Sequence, residues 1–553
     1  MSARGIRGNS VGDDSSSEAA ARRRGRPQRL PEDRSPMGSH TVGVDQRVAW
    51  LLTTSRLLGP DAALARRDGF LKALRDRGVK VDNTRISRWE SGLHSLPLHV
   101  IESYESVLGA AEGSLVAVVS GLRRAFGSGK IPREPALNDE AVSAIDVDAL
   151  LDRVEAGTAH GGNWLRLVSE LSRFDRVFLR RAEWQRLCDQ LIRELATSSG
   201  PGFVRRYEAA AMLIRHPEGQ RHLTRALGFF VMHPDTQVMA PVLNLLAEVP
   251  DRAANELVLR MLHSDNPGLR RAAAGVAATK IVRRHLQDDV LEDLERHVVG
   301  NLRRGDSLDL RLDSFDLAVQ LPEHSWERIS GALRTRRAHQ LVERARQDGE
   351  LLPWSQTSTI INQMSLEVQQ ETPAHGPSEP DVLLTRLLRE ALVHAHKPRR
   401  HHAALLLAAS PYAAAVSRHC LRLAGGENDV LAARAWTVLM RVRHPQGRQH
   451  LLDAALNEQR SAVRSRALLN VGLAVGPIEA EDAAKILDGV TESSRPIERH
   501  AAMFAIGMTG MSHLQELADQ DNEWPGRSAR WWIEHGPAVD DADALPDQLV
   551  GVR

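Results

Sequence analysis

The residues from Asn83 to Gly92, Asn-Thr-Arg-Ile-Ser-Arg-Trp-Glu-Ser-Gly, carry side chains that can read the edge of a base. Arginine meets guanine bidentately, and asparagine, threonine and serine donate to or accept from several bases. Arg85 and Arg88 are the candidate guanine readers, with Asn83, Thr84 and Ser87 beside them. Ile86 and Trp89 are three apart, so on a helix they share one face and can be core, while Thr84, Arg85, Ser87 and Arg88 lie on other faces. Gly92 is placed to end such a helix, and Pro97 cannot continue it.

Other chemistry has little to stand on. No Gly-rich phosphate loop, nucleophile elbow or paired-His zinc motif occurs. His394, His396, His401 and His402 come nearest to a metal site, but a helix would set His394 and His402 two turns apart. They read as surface or packing histidines. Two cysteines, Cys188 and Cys420, make neither a disulfide framework nor a zinc site, and read as small buried hydrophobes. Arg270-Arg271 and Arg399-Arg400 stand at helix starts and could face phosphates, although solvated or paired arginines are the plainer reading. The chain reads as a non-enzyme with no cofactor or metal.

A small helical domain must position the base-reading residues. Val44 to Arg56 puts Val48, Leu51 and Leu52 on one face, and Gly59-Pro60 breaks it. Ala62 to Arg77 gives one or two helices ending at Gly78. Asp82 or Asn83 can cap the next helix. Leu98 to Leu108 presents Val100, Ile101, Tyr104 and Leu108 as a stripe, and Val116 to Phe126 supplies a further helix. The order Ile86-Ser87-Arg88-Trp89-Glu90-Ser91-Gly92 closely resembles the recognition helix of Xre/Cro-type helix-turn-helix domains. The resemblance covers about 65 residues of 553 and is best over Val81 to Gly109. It implies double-stranded DNA as partner, a homodimer on a two-fold operator, and Glu90 as a structural residue. The chain departs from the family in the longer link Leu57 to Asp68 and in lacking the Ser-Gln pair that opens helix two, which removes that Gln's share of the DNA contact. Upstream, Arg24-Gly25-Arg26-Pro27 resembles an AT-hook, in which Arg24 and Arg26 would enter an A·T minor groove. A solvated basic tail is the plainer reading of those four residues.

Composition sets the frame. Hydrophobic residues make up 42% and charged residues 26%, as in an ordered, soluble chain. Aromatics are only 4% and Ala, Leu and Arg dominate, which favours helices over strands. The basic residues are 66 Arg and 6 Lys, a skew read as high genomic GC content in a bacterium. A net charge of +1 does not by itself point to nucleic acid. No signal peptide is visible, and the longest apolar run, Leu405 to Val416, is interrupted by Ser410 and Pro411 and too short to span a bilayer. The expected location is cytoplasmic and nucleoid-associated.

Beyond the small domain the chain repeats itself. Arg215-His216-Pro217-Glu218-Gly219 recurs as Arg443-His444-Pro445-Gln446-Gly447, offset by 228. Small anchor residues follow arginines at Ala403, Ala435, Ala467 and Ala501, in steps of 32, 32 and 34. A single period near 32–33 also accounts for Ala209 and Ala273. Units of that size cannot bury an apolar face alone and must stack. The start Pro267-Gly268-Leu269-Arg270 resembles that of HEAT repeats. The recurrence of His216 and His444 argues for a turn or capping role.

The expected fold is all-α: a small helix-turn-helix domain followed by a HEAT-like α-solenoid. The divisions are a disordered basic tail at 1–43, the DNA-binding domain at 44–126, a linker at 127–145, repeats at 146–537 and a flexible tail at 538–553. The Pro/Gly-containing stretch at 371–381 divides the repeats into halves. The helix from Val116 to Phe126 packs on the small domain or on a second copy, and dimer contacts come from Leu115 to Phe126, from the solenoid, or do not form at all. The function that follows is a sequence-specific DNA-binding transcriptional regulator whose repeats hold a protein partner or a second copy. The alternative is a HEAT-like interaction scaffold without specific DNA binding. A repair enzyme cradling damaged duplex is a third reading, and no Trp/Asp grouping supports it.

Overall fold

The computed structural model describes residues 29–127, 144–304, 308–372, 380–444, 447–474, 478, 480–491, 495–511, 513–520, 523–539 and 541. The described residues form helices joined by turns, with two isolated bridges and no strand, so the chain is all-α as its composition implies. The expected linker lies outside the described residues apart from its two ends, as does most of the loop at 371–381.

The N-terminal helices are α1 (Val44–Leu57), α2 (Ala62–Ala65), α3 (Arg67–Asp76), α4 (Asn83–Glu90), α5 (Leu98–Leu108) and α6 (Ser114–Phe126). Helix α1 is central and packs on α2, α4, α5 and α6. Its core face carries Val48, Leu51 and Leu52, and Phe70 meets Tyr104 edge-on between α3 and α5, with ring centroids 4.7 Å apart.

The first half of the repeats runs through α7 (Ala144–Glu155), α8 (Gly161–Leu171), α9 (Arg181–Thr197), α10 (Gly200–Leu213), α11 (Gly219–Met232), α12 (Ala240–Leu243), α13 (Arg252–Leu262), α14 (Pro267–Arg283), α15 (Asp288–Arg304), α16 (Leu308–Gln320), α17 (Trp326–Ser330) and α18 (Arg336–Gln347). The second half holds α19 (Trp354–Glu371), α20 (Val382–Val393), α21 (Lys397–Ala409), α22 (Ala413–Ala424), α23 (Asp429–Leu439), α24 (Gly447–Asn457), α25 (Ser461–Leu473), α26 (Ala480–Thr491), α27 (Pro496–Thr509), α28 (His513–Ala518) and α29 (Trp524–His535). Helices pair as hairpins, α22 with α23, α24 with α25, α26 with α27 and α28 with α29. The second helix of each pair then stacks on the next, from α23 through α25 and α27 to α29.

The anchors explain this stacking. Ala403, Ala435, Ala467, Ala501 and Ala273 are all buried, where a small side chain lets neighbouring helices close up. Gly507 goes further: a Cβ built there would sit 2.0 Å from the Trp532 ring, so α29 approaches α27 closely only because position 507 is glycine. Trp531 and Trp532 fill the last interface.

The repeat array closes on itself. Val539 N–H donates to the Thr197 carbonyl at 3.1 Å, and Phe230 of α11 meets Trp531 of α29 edge-on. Asp541 is buried between Arg205 and Arg206 of α10, at 3.0 and 2.8 Å. The flexible tail expected from 538 onward is therefore corrected at its start, because Asp541 supplies a carboxylate that two buried guanidiniums require.

The expected disordered tail at 1–43 also needs correction. Residues 1–28 lie outside the described residues, but 29–43 form an extended strap held by side chains of α1, α20 and α21. Arg399 donates to the carbonyls of Pro36, Met37 and Ser39 at 3.1, 2.9 and 2.7 Å. Arg386 donates to the Asp33 carbonyl at 2.6 Å, and His40 stacks on His396 with centroids 4.5 Å apart. Asp33 itself is buried against Arg47 at 2.6 Å. The strap has no apolar periodicity because its backbone, not its side chains, makes most of these bonds. Asp33→Ala should therefore destabilise the fold by about 2 kcal/mol, the usual worth of one charged hydrogen bond. Urea unfolding at neutral pH checks this, and a change below about 0.5 kcal/mol would mean that the strap contributes nothing through Asp33.

Of the two places open to helix α6, against the small domain or against a second copy, the first holds: Val116, Val119 and Leu122 are buried within the chain, where α6 packs on α1 and α5 and also on α10 and α21 of the repeats.

Candidate nucleic-acid interface

Helix α4 begins at a well-built cap. The Asp82 carboxylate accepts from the Arg85 backbone N–H at 2.7 Å, which satisfies one of the unpaired donors of the first turn. The turn before it relies on Gly78, whose φ of 81° lies in the left-handed region. The helix ends at Gly92, where φ is 71° and a Cβ would lie 2.9 Å from the Gln46 Cα. Any other residue there would push α4 off the start of α1.

Two kinds of contact orient α4. Ile86 and Trp89 are buried against the small domain's core, as their spacing implies. Glu90 is buried too, and Arg56 of α1 grips both its oxygens at 2.6 and 2.8 Å. Arg67 adds a longer contact to the same carboxylate at 3.6 Å. Glu90 thus orients the helix and does not face a ligand. Behind it, Glu105 of α5 accepts from the Gly113 and Val116 N–H groups at 2.9 and 2.8 Å and so caps α6. Burial pushes the Glu105 carboxyl up to about 7, against the pull of those backbone donors.

The outward face collects the residues that the spacing singled out. Asn83, Thr84, Arg85, Ser87 and Arg88 are all exposed, along one short helix. Arg85 is partly committed within the chain: its guanidinium lies 5.1 Å from the Trp89 ring centroid and donates to the Lys80 carbonyl at 3.2 Å. Arg24 and Arg26 lie outside the described residues. Sequence reasoning missed Arg75 and Lys80, which with Asp82 and Arg85 line a recess of about 470 Å³ beside the start of α4. A basic residue in the last turn of α3 was the signal available for Arg75.

The histidine cluster has a different role. His394 Nε2 donates to the Met37 carbonyl at 2.8 Å, and its Nδ1 accepts from the His396 backbone N–H at 2.9 Å. The His402 ring packs edge-on against Phe126, with centroids 5.4 Å apart. These histidines join the repeats to the strap and to α6, and among the described residues no group could hold a metal ion. His216 does cap a helix: its Nδ1 accepts from the Gly219 N–H at 3.1 Å at the start of α11.

A second set of buried charges fixes the whole N-terminal domain to the repeats. Arg47 of α1 donates to both oxygens of Glu390 of α20, at 2.8 and 2.7 Å. Trp50 donates its indole N–H to Asp381 at 2.8 Å. Arg124 of α6 bridges Glu208 of α10 and Glu248, at 2.6 and 2.7 Å. The small domain that carries the α4 face is consequently joined to the repeats by buried ion pairs.

No family model matches the chain, and no curated protein matches it. Among solved structures, it is similar to a chain from a study of tubulin recruitment and assembly by microtubule polymerases with TOG domain arrays. The two are 13% identical over 78% of this chain and 99% of that one, with a TM-score of 0.20. At that score the overlay does not define a shared fold.

Proposed function

We propose that the protein is a helical-repeat interaction scaffold without catalytic activity, in which the N-terminal helices form one fixed outer face. The observation that carries this reading is the buried attachment of α1 and α6 to α10, α20 and α21. A domain that worked as a free arm would have no use for Arg47, Trp50 and Arg124 sealed inside the repeats. The partner surface on the repeats is an exposed apolar one: Phe229 and Met232 stand three apart on α11, with Arg225 lying 5.4 Å from the Phe229 ring centroid. Exposed aromatic and methionine side chains beside an arginine have the composition of a protein-binding patch. Photo-crosslinking from position 229 in the source cell tests this reading. It should join one defined protein to the repeats, and crosslinks to nucleic acid alone would overturn it.

A second reading rests on the outward face of α4. Asn83, Thr84, Arg85, Ser87 and Arg88 are exposed while Ile86 and Trp89 are buried, which is the division of faces that base reading needs. In that reading the scaffold binds double-stranded DNA in the cytoplasm at the nucleoid. If Arg88 meets a guanine, Arg88→Ala should cost about 1–3 kcal/mol of specific binding and leave the fold intact. Gel shifts on genomic fragments at graded salt decide between the two. A sequence-dependent bound set, lost in the variant, supports DNA recognition, whereas no such set leaves the scaffold alone.

A further inference from the structure

We infer that the loop between α8 and α9, residues 172–180, seats the protein on an anionic lipid surface, with Phe178 entering the membrane interface and Arg176 and Arg181 meeting lipid phosphates. It uses neither the face of α4 nor the patch on α11, and depends on neither reading above.

The backbone of this loop is pinned. Nδ1 of the buried His216 accepts from the Gly219 N–H, so Nε2 carries the proton and donates to the Phe174 carbonyl at 2.7 Å. The Val177 N–H donates to the Glu218 carboxylate at 2.9 Å. The Leu179 N–H donates to the Val177 carbonyl at 2.8 Å, which makes a three-residue turn with Phe178 at its apex. The Arg180 N–H closes the loop on the Glu183 carboxylate at 2.6 Å, where α9 begins. The turn between α10 and α11 and the start of α9 thus fix the loop from two sides.

Against this frame the side chains divide. Val177 and Leu179 lean on the core, while Phe178 between them is fully exposed and Phe174 is 61% exposed. A serine at 178 would serve the turn as well, so the phenyl ring there has no part in the fold. One aspartate stands among four arginines from 173 to 181. Arg173 is committed to Glu170 at 3.1 Å, but Arg176 and Arg181 are exposed and have no ion-pair partner among the described residues. Arg181 opens α9, where the helix dipole favours an anion and opposes a cation. A phosphate at that end would pair the guanidinium and suit the dipole at once.

The occupant follows from charge and shape. The loop presents a protruding ring with arginines on both sides, and not a groove. A protein partner would need a pocket matched to that ring. An anionic lipid interface takes the ring among its acyl chains and the guanidiniums among its headgroups without any matched shape. Single-stranded nucleic acid is held in basic grooves on several stacked aromatics. Here the neighbours of Phe178 are aliphatic and turned inward.

Sedimentation of the full chain with vesicles tests this. Binding to phosphatidylcholine vesicles in which a third of the lipid is phosphatidylglycerol should be at least tenfold stronger than to phosphatidylcholine alone, and should weaken as salt rises. Phe178→Ser and the double variant Arg176→Gln/Arg181→Gln should each lose at least fivefold in partitioning with no fall in melting temperature, since these side chains are exposed. Cys188 and Cys420 are buried, so Phe178→Cys can be labelled alone with an environment-sensitive dye. Its emission should brighten and shift to the blue on the anionic vesicles. The same dye at Leu93→Cys, an exposed position of the small domain, should not respond. Equal binding to neutral vesicles, unchanged partitioning of Phe178→Ser, a dye at 178 that stays in water, or one that answers to a single-stranded oligonucleotide and not to vesicles would each overturn the inference.

Discussion

Replacing Glu390 with alanine should cost about 3–5 kcal/mol, the penalty for leaving buried cations without their anion. The carboxylate is fully buried and is held by Arg47 at 2.7 and 2.8 Å, by Arg386 at 3.1 Å and by Arg399 at 2.5 Å. These contacts hold the carboxyl well below its usual range despite its burial, with Arg47 the strongest influence and Arg399 next. Removal leaves Arg47 and Arg399 sealed in the interior with only Asp33 and backbone carbonyls in reach. That loss is a large fraction of the roughly 5–15 kcal/mol by which folded proteins are stable. Urea unfolding of the variant, read by circular dichroism, checks it. A cost below about 1 kcal/mol would mean that water already reaches the pair and that the junction between α1 and α20 is looser than described.

Acid should destabilise the protein before its ion-paired carboxylates, such as Glu390, titrate. Burial, followed by Arg399, pushes His394 down to about 3, and burial, followed by Arg283 and Arg124, does the same to His402. His396 is also pushed down, by burial and by its neighbours His394 and His40. Unfolded histidine titrates near 6.5, so below that pH the unfolded chain takes up protons that the folded chain refuses. The stability that these three rings give is thus fully present above about pH 6.5 and falls as pH drops toward 3, while Glu105, raised to about 7, acts with the opposite sign and offsets part of that slope between about 4.5 and 7. Each such histidine contributes about 1.4 kcal/mol per pH unit, so the three together give about 4 kcal/mol per unit. Glu390 acts in a lower window, because its folded pKa is depressed: its contribution is present above the usual glutamate value and is lost as pH falls from there toward the folded one. Melting curves at pH 7, 6 and 5 should show a steep loss, and His402→Gln should lessen the slope by about one proton. A melting temperature that stays flat from pH 7 to pH 5 would contradict the burial of these rings.

The sequence spoke clearly where periodicity carried the message. Ile86 and Trp89 declared the inner face of α4, and the alanines at 403, 435, 467 and 501 declared the stacked helices. His216 declared a capped turn by recurring. What stayed hidden was polar. Arg47 and Glu390 are 343 positions apart, and each looks like an ordinary surface charge on its own helix. The strap at 29–43 hid for a related reason, since Arg386 and Arg399 order it through its carbonyls, which every sequence has. Asp541 was concealed by the acidic stretch around it, although two buried arginines make it part of the fold. The same limit hid the attachment of α6 to the repeats, since its partners α10 and α21 lie in different halves of them.

Hydrogen exchange of the α1 backbone is the most direct test that the N-terminal helices and the repeats form one rigid scaffold. In the full chain, amides of Val48 to Leu52 should be protected as strongly as those of Leu384 to Leu388 in α20, and both sets should lose protection together in Glu390→Ala. Fast exchange in α1 while α20 stays protected would contradict the account, and would return the small domain to the status of a tethered, independent module.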